Sequence, residues 1–294
     1  MSTLLLLTIT GLGLGALYFL IAAGLSLIYG LMGVLNFAHG AFFTVGAYAM
    51  WWVMQHMVSV TSLGLRLALA IPCGLVVGAL VATLVELVLI RPLYQRHIEQ
   101  VLATLGFALA LTALAQGIFG ADPLPVPAPA WVGEATTVLG VSVPNNRFVV
   151  IVAAIAVLAL LIGFLRFTRY GLIIRAGVEN RAMVTALGID VQRSFTLVFA
   201  LGGLAAALGG VLGNLYFGTV DPGHGTNLLI FAFIVVVIGG LGSIEGSAVA
   251  AVIVGLLQQY LNYYTAAETG DVAVVLLLAA VLLVRPRGLF GRVA

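Results

Sequence analysis

R-F-T-R-Y-G-L-I-I-R-A-G-V-E-N-R-A-M-V-T-A-L-G-I-D-V-Q-R, residues Arg166 to Arg193, is the stretch that decides how the chain is read. It holds five of the twelve basic residues in a chain of 294 that is otherwise almost uncharged. Long apolar runs flank it on both sides. A polar, arginine-rich segment between membrane spans belongs on the cytoplasmic side. Within it, Arg175 to Leu187 reads as one short amphipathic helix, ended by Gly188 at the position just past a helix C-terminus. Ala176, Met183, Val184 and Leu187 share a face, and Glu179, Asn180 and Arg181 lie off it. Such a helix has no role inside a bilayer and is suited to docking on a soluble partner.

Composition sets the class. Hydrophobic residues make up 63% of the chain and charged residues 7%, with a mean hydropathy of +1.22. Soluble domains carry roughly 25% charged residues. A chain this poor in charge cannot cover a water-facing surface, so an all-α, polytopic helical bundle in a membrane is expected. The apolar runs are continuous rather than alternating, which argues against a β-barrel. There is no lysine, so a Walker A phosphate loop is excluded. The basic residues are confined to short loops, which gives nucleic-acid binding no support. The single Cys73 lies in an apolar run and reads as a packing residue.

Along the chain, apolar runs are expected to give eight or nine spans in one transmembrane domain, residues 1–294. The first run, Leu4 to about Gly30, meets the second at Asn36 and His39. The stretch Ala121 to Arg147 is a long polar interruption, expected to be an external loop, and the four prolines of D-P-L-P-V-P-A-P within it favour extended polyproline II-like backbone. Gly202 to Gly210, G-G-L-A-A-A-L-G-G, offers a small-residue face for close helix contact. Arg91, Arg96, the five arginines of the opening stretch and Arg285, Arg287 and Arg292 of the tail fall on one side. That bias places the C-terminus in the cytoplasm.

Two glycine-rich breaks invite comparison: N-F-A-H-G-A (Asn36 to Ala41) and G-S-I-E-G-S (Gly242 to Ser247). Paired broken helices mark the binding region of many transporters; ordinary cytoplasmic turns explain the same glycines. On the first reading Asn36, His39, Gly40, Ser243 and Glu245 flank the translocation path or its gate. Ser243 and His39 do not make a hydrolase, because G-L-G-S-I-E-G is not a G-x-S-x-G elbow and nothing orients the histidine. Four scattered histidines and one cysteine suggest no metal or other cofactor. Glu86 is the acid well inside an apolar run; proton relay and a structural pairing with Arg91 both fit it.

Four segments carry a family resemblance. Leu25 to Tyr48, L-S-L-I-Y-G-L-M-G-V-L-N-F-A-H-G-A-F-F-T-V-G-A-Y, resembles the LivH-type permeases of branched-chain amino acid ABC importers. So do Glu179 to Asp190, Ile238 to Ser247, and the ending R-P-R-G-L-F-G-R, Arg285 to Arg292. The resemblance implies a multi-pass subunit of the bacterial inner membrane for branched-chain amino acids, urea or short amides. It implies a second, LivM-type permease, two cytoplasmic ATPases of the LivG and LivF type, and a periplasmic binding protein as partners. The segment Glu179, Asn180, Arg181, Ala186, Leu187 and Gly188 resembles the loop that contacts the ATPase in such permeases, within a coupling region of about 166–193. An ion-coupled secondary transporter and a passive channel are the alternatives, and neither has a use for that helix.

Overall fold

The computed structural model describes residues 2–291 apart from 34, 95, 180, 187 and 189. In chain order, α1 (Ser2–Met32), α2 (His39–His56) and α3 (Leu63–Val85) come first, and α3 runs on through a π turn, Glu86–Ile90, and a 3-10 turn, Arg91–Leu93. After α4 (His97–Phe119) comes a loop with strand β1 (Leu124–Pro125), one helical turn α5 (Ala130–Gly133) and the hairpin β2 (Ala135–Val138) and β3 (Val141–Pro144). Next are α6 (Asn145–Phe167), α7 (Arg169–Glu179), α8 (Arg181–Ala186), α9 (Val191–Phe217), β4 (Thr219–Val220), α10 (His224–Gly239), α11 (Ile244–Tyr264) and α12 (Thr269–Val284). Six of the helices, including α3 with its extension, are long and apolar enough to cross a membrane, and α10 and α12 are shorter apolar helices. The chain is a polytopic helical membrane protein, as its composition requires.

α1 occupies the centre. From Leu17 to Ile28 its side chains are almost entirely withdrawn from the surface, because α6, α9, α10 and α11 surround it. In lipid no hydrophobic force separates helices from their surroundings, so close packing has to hold them together. Small residues make that possible. A methyl group on Gly15 would collide with the Ala251 carbonyl of α11. The small-residue run of α9 serves three helices at once: Gly202 meets Gly24 of α1, Ala207 meets Gly46 of α2, and Gly203 meets Ala82 of α3. The outer helices present exposed apolar side chains, such as Leu80, Leu109, Leu160 and Leu283, as a lipid-facing surface should.

Two local expectations change. The amphipathic helix expected over Arg175 to Leu187 falls on α7 and α8, and residues 180 and 187 lie outside the described residues. α7 starts six residues earlier because Thr168 caps it: its Oγ1 accepts from the Gly171 N–H at 3.0 Å. Of the expected common face, Val184 is buried and Met183 exposed. Gly188 has φ +79, as its predicted role demands. The 121–147 loop also carries short strands that its prolines did not predict. β1 pairs with β4, Leu124 opposite Val220, and β2 with β3 form a hairpin turned at Leu139 and Gly140, with φ of +49 and +80.

Gly210→Ala places a methyl group against the Phe43 carbonyl, whereas Gly106→Ala meets nothing within 4 Å. Thermal unfolding in detergent should show G210A destabilised by about 1–3 kcal/mol, the usual cost of overpacking. G106A should be neutral or slightly more stable.

Candidate functional site

Between α1 and α2 the chain turns back into the bundle. Asn36 organises the turn: its Oδ1 accepts from the Ala38 N–H at 3.0 Å and its carbonyl accepts from the His39 N–H at 3.3 Å. α2 then starts at His39, which is fully buried. His39 Nε2 donates to the Ile21 carbonyl of α1 at 3.1 Å, which assigns that tautomer. The proximity of Gly24, whose added Cβ would lie 2.8 Å from the imidazole, explains why α1 has glycine there. Among the described residues, His39 Nδ1 and Asn36 Nδ2 have no partner.

The counterpart of this break in space is the start of α10. Gly40 and Gly225 face each other so closely that a side chain on either would strike the other's backbone. Each is preceded by histidine, His39 and His224, at the first residue of its helix. Two helix N-termini therefore overlap inside the bundle, both presenting the positive ends of their dipoles. The sequence comparison paired Asn36–Ala41 with Gly242–Ser247 instead. That second break lies elsewhere, since Gly242 packs on Gly30 of α1. Nine residues of helix separate Gly30 from Ile21, about 14 Å. The five candidate residues thus form two groups: Asn36, His39 and Gly40 deep inside, and Ser243 and Glu245 nearer the end that carries α7 and α8.

At that end a half-open cleft of about 890 Å³ lies between the last turns of α1, the end of α6, α7 and the 241–245 turn. Ser243 is the N-cap of α11, its Oγ accepting from the Gly246 N–H at 3.0 Å. Glu245 pairs with Arg166 of α6 at 3.1 Å across the cleft, and both side chains are more than half exposed. The tail closes one side: the Leu289 and Phe290 amides donate to the Ile238 and Gly239 carbonyls, capping α10. Phe290 lines the cleft, a role that sequence reasoning missed.

Glu86 is fully buried and sits at the start of the π turn. Its carboxylate accepts from Arg91 at 3.3 Å, from the Tyr94 hydroxyl, and from Thr196 of α9 at 2.9 Å. Arg91 also donates to Thr196 at 2.8 Å. This is the structural pairing expected from the spacing, and Thr196 ties it to α9. Beyond it, the α7–α8 region presents Phe167, Tyr170, Leu172, Met183 and Ala186 to the surface, while Ile174 and Val184 hold it to the bundle. Gly188 is exposed. Of the predicted contact residues, Asn180 and Leu187 and the side chains of Glu179 and Arg181 lie outside the described residues.

The comparisons with known proteins fit a membrane transport subunit. The family model for the branched-chain amino acid transport system / permease component matches residues 7–284. The chain belongs to this family and is a non-catalytic permease component of an ABC transporter. It is 31% identical to the high-affinity branched-chain amino acid transport system permease protein LivH of Escherichia coli K12, over 96% of this chain and 94% of the relative. It is 30% identical to LivH of Salmonella typhimurium with the same coverage. To BraD of Pseudomonas aeruginosa, another high-affinity branched-chain amino acid permease, it is 30% identical over 97% of this chain and 94% of the relative. No solved structure matches the chain.

Glu86→Ala leaves Arg91 without its acid in a largely dry site. The expected loss is about 3 kcal/mol, the low end for a broken buried pair because Arg91 remains 36% exposed. Thermal unfolding of the purified protein measures it. Uptake by Glu86→Gln should survive when no proton gradient is present; loss of that uptake would restore proton relay.

Proposed function

We propose that this chain carries branched-chain amino acids across the bacterial inner membrane. A periplasmic binding protein delivers the solute, a second, LivM-type permease completes the pathway, and two cytoplasmic ATPases of the LivG and LivF type drive it. The observation that carries this reading is the similarity to amino-acid permeases along essentially the whole chain. The exposed apolar surface of α7 and α8 supports an ATPase contact, because a helix pair held to the bundle by Ile174 and Val184 leaves its other side for a partner. Movement of that pair reaches the cleft directly, since Ile174 and Arg175 line it. The region 166–193 is then the coupling loop, the hairpin region within 121–147 faces the periplasm, and the C-terminus is cytoplasmic.

The two overlapping helix ends at Gly40 and Gly225 suit the pivot of alternating access, in which rigid halves rock about a packed centre. Asn36 and His39 belong to that pivot. Ser243 and Glu245 belong to the cytoplasmic gate, where the Arg166–Glu245 pair links α6 to α11. Urea or a short amide is the second substrate class, and competition against labelled leucine separates the two.

Ala186→Asp and Gly188→Arg should leave the complex assembled but uncouple it: ATPase activity persists while leucine uptake into proteoliposomes falls at least about tenfold, the equivalent of 1.4 kcal/mol of coupling. Normal uptake in both variants sinks the coupling assignment. With Cys73 replaced by alanine, a cysteine at 245 should react rapidly with water-soluble thiol reagents from the cytoplasmic side. One at 39 should react only during turnover. A cysteine at 39 labelled equally with and without ATP would remove His39 from the moving centre.

A further inference from the structure

The cleft between α1, α6, α7 and the 241–245 turn has a charge pattern that a gate alone does not require. Its volume of about 890 Å³ falls within the usual range for small-molecule sites, roughly 300–1,000 Å³. Leu27, Leu31, Ile162, Leu165, Ile174 and Phe290 supply apolar walls. Among the described residues, three charged side chains complete the lining: Arg166 of α6, Arg175 of α7 and Glu245 of α11. Arg175 makes no ion pair among the described residues, and its Nε donates to the Gly171 carbonyl of its own helix at 3.4 Å. The lining therefore carries two cations against one carboxylate.

The ion pair across the cleft is open to exchange. One donor, Arg166 Nη2, meets one oxygen, Glu245 Oε1, at 3.1 Å, and the two side chains are 62% and 58% exposed. An ion pair this wet contributes little to stability. A ligand that offers an anion to the arginine and a cation to the carboxylate replaces it at little cost. The Glu86–Arg91 pair is the contrast: its carboxylate is fully buried and is also held by Tyr94 and Thr196.

We propose that this cleft is a product site. A free aliphatic amino acid enters it from the cytoplasm, with its carboxylate between Arg166 and Arg175, its ammonium on Glu245 and its side chain on the apolar walls. The inference rests on the reading that the solute is an amino acid and that this end of the bundle is cytoplasmic; it adds a regulation. Occupancy acts on α7, because Ile174 and Arg175 belong to that helix. A ligand bound to Arg175, Arg166 and Glu245 together holds α7 against α6 and α11, and a cycle that has to move α7 then slows. Product that accumulates inside thereby restrains its own import. A lone anion, such as a phosphate, meets the two arginines but also the Glu245 carboxylate. Urea or a neutral amide satisfies none of the three charges.

The test uses the whole complex in proteoliposomes, with binding protein and labelled L-leucine sealed inside and ATP outside. Complexes whose ATPases face outward then deliver leucine to the outer medium, which is the product side. Delivery without added product establishes the substrate reading on its own. Unlabelled leucine added outside should slow both delivery and ATP hydrolysis, about twofold at half-occupancy. Leucinamide, without the carboxylate, and isocaproate, without the ammonium, should have no such effect. Each variant is compared with itself, with and without outside leucine, so a change in its basal rate cancels. In Arg175→Gln and in Glu245→Gln the concentration that halves the rate should rise about tenfold, the weight of one charge-assisted hydrogen bond. A variant that no longer turns over is read by equilibrium dialysis of labelled leucine against the complex without binding protein, where affinity should fall by the same factor. Wild-type delivery indifferent to outside leucine overturns the proposal. So does slowing that both variants retain unchanged, since the product then binds elsewhere. Slowing by isocaproate or inorganic phosphate equal to that by leucine overturns it too, since the cleft then takes any anion. If the complex delivers urea but no leucine, the substrate reading fails first and this site fails with it.

Discussion

Backbone-to-backbone contact at α1 and α9 is the constraint on which the other elements depend. A bilayer offers no hydrophobic gain for pressing one apolar helix on another. What remains is dispersion, summed over many close contacts. Gly15 against Ala251, Gly24 against Gly202 and Gly46 against Ala207 bring helix axes near enough for that sum to matter. With α1 held at the centre, α2 and α10 can begin inside the bundle, because their first turns are surrounded by protein rather than lipid.

Polar groups follow from the same geometry. A carboxylate in hydrocarbon needs its partners within reach, and Glu86 finds Arg91 and Tyr94 on its own segment and Thr196 on α9. That hub fixes the point at which α3 loosens into a π turn and then a 3-10 turn, an irregularity that would otherwise be free to unwind. His39 is satisfied on one nitrogen by a main-chain carbonyl freed for it by Gly24. Arg147 is held differently, over the Tyr216 ring at 3.4 Å.

Several features were legible in residue order. Charge poverty gave the class, apolar runs gave most helices, and the small-residue run of α9 announced a packing face that three helices do use. The arginine-rich stretch was recognisably a segment outside the spans, and Gly188 a helix terminator. The start of α7 escaped because the signal was one threonine, Thr168, whose capping depends on where α6 ends. The hairpin escaped because the prolines before it dominated the reading of the loop. Two glycine motifs of similar appearance, Asn36–Ala41 and Gly242–Ser247, matched in composition but lie apart, while the neighbour of the first in space, His224–Gly225, is a dipeptide with little sequence signal.

The sequence by itself determined the membrane class, the helical fold and the family, since hydropathy and local motifs are properties of short segments read along the chain. Tertiary structure alone decided which helix lies at the centre, which two helix ends meet, and which charged side chains meet. Those are questions of distance between residues far apart in order, such as Gly40 and Gly225 or Gly13 and Arg147. Only the packing of several helices at once brings them together.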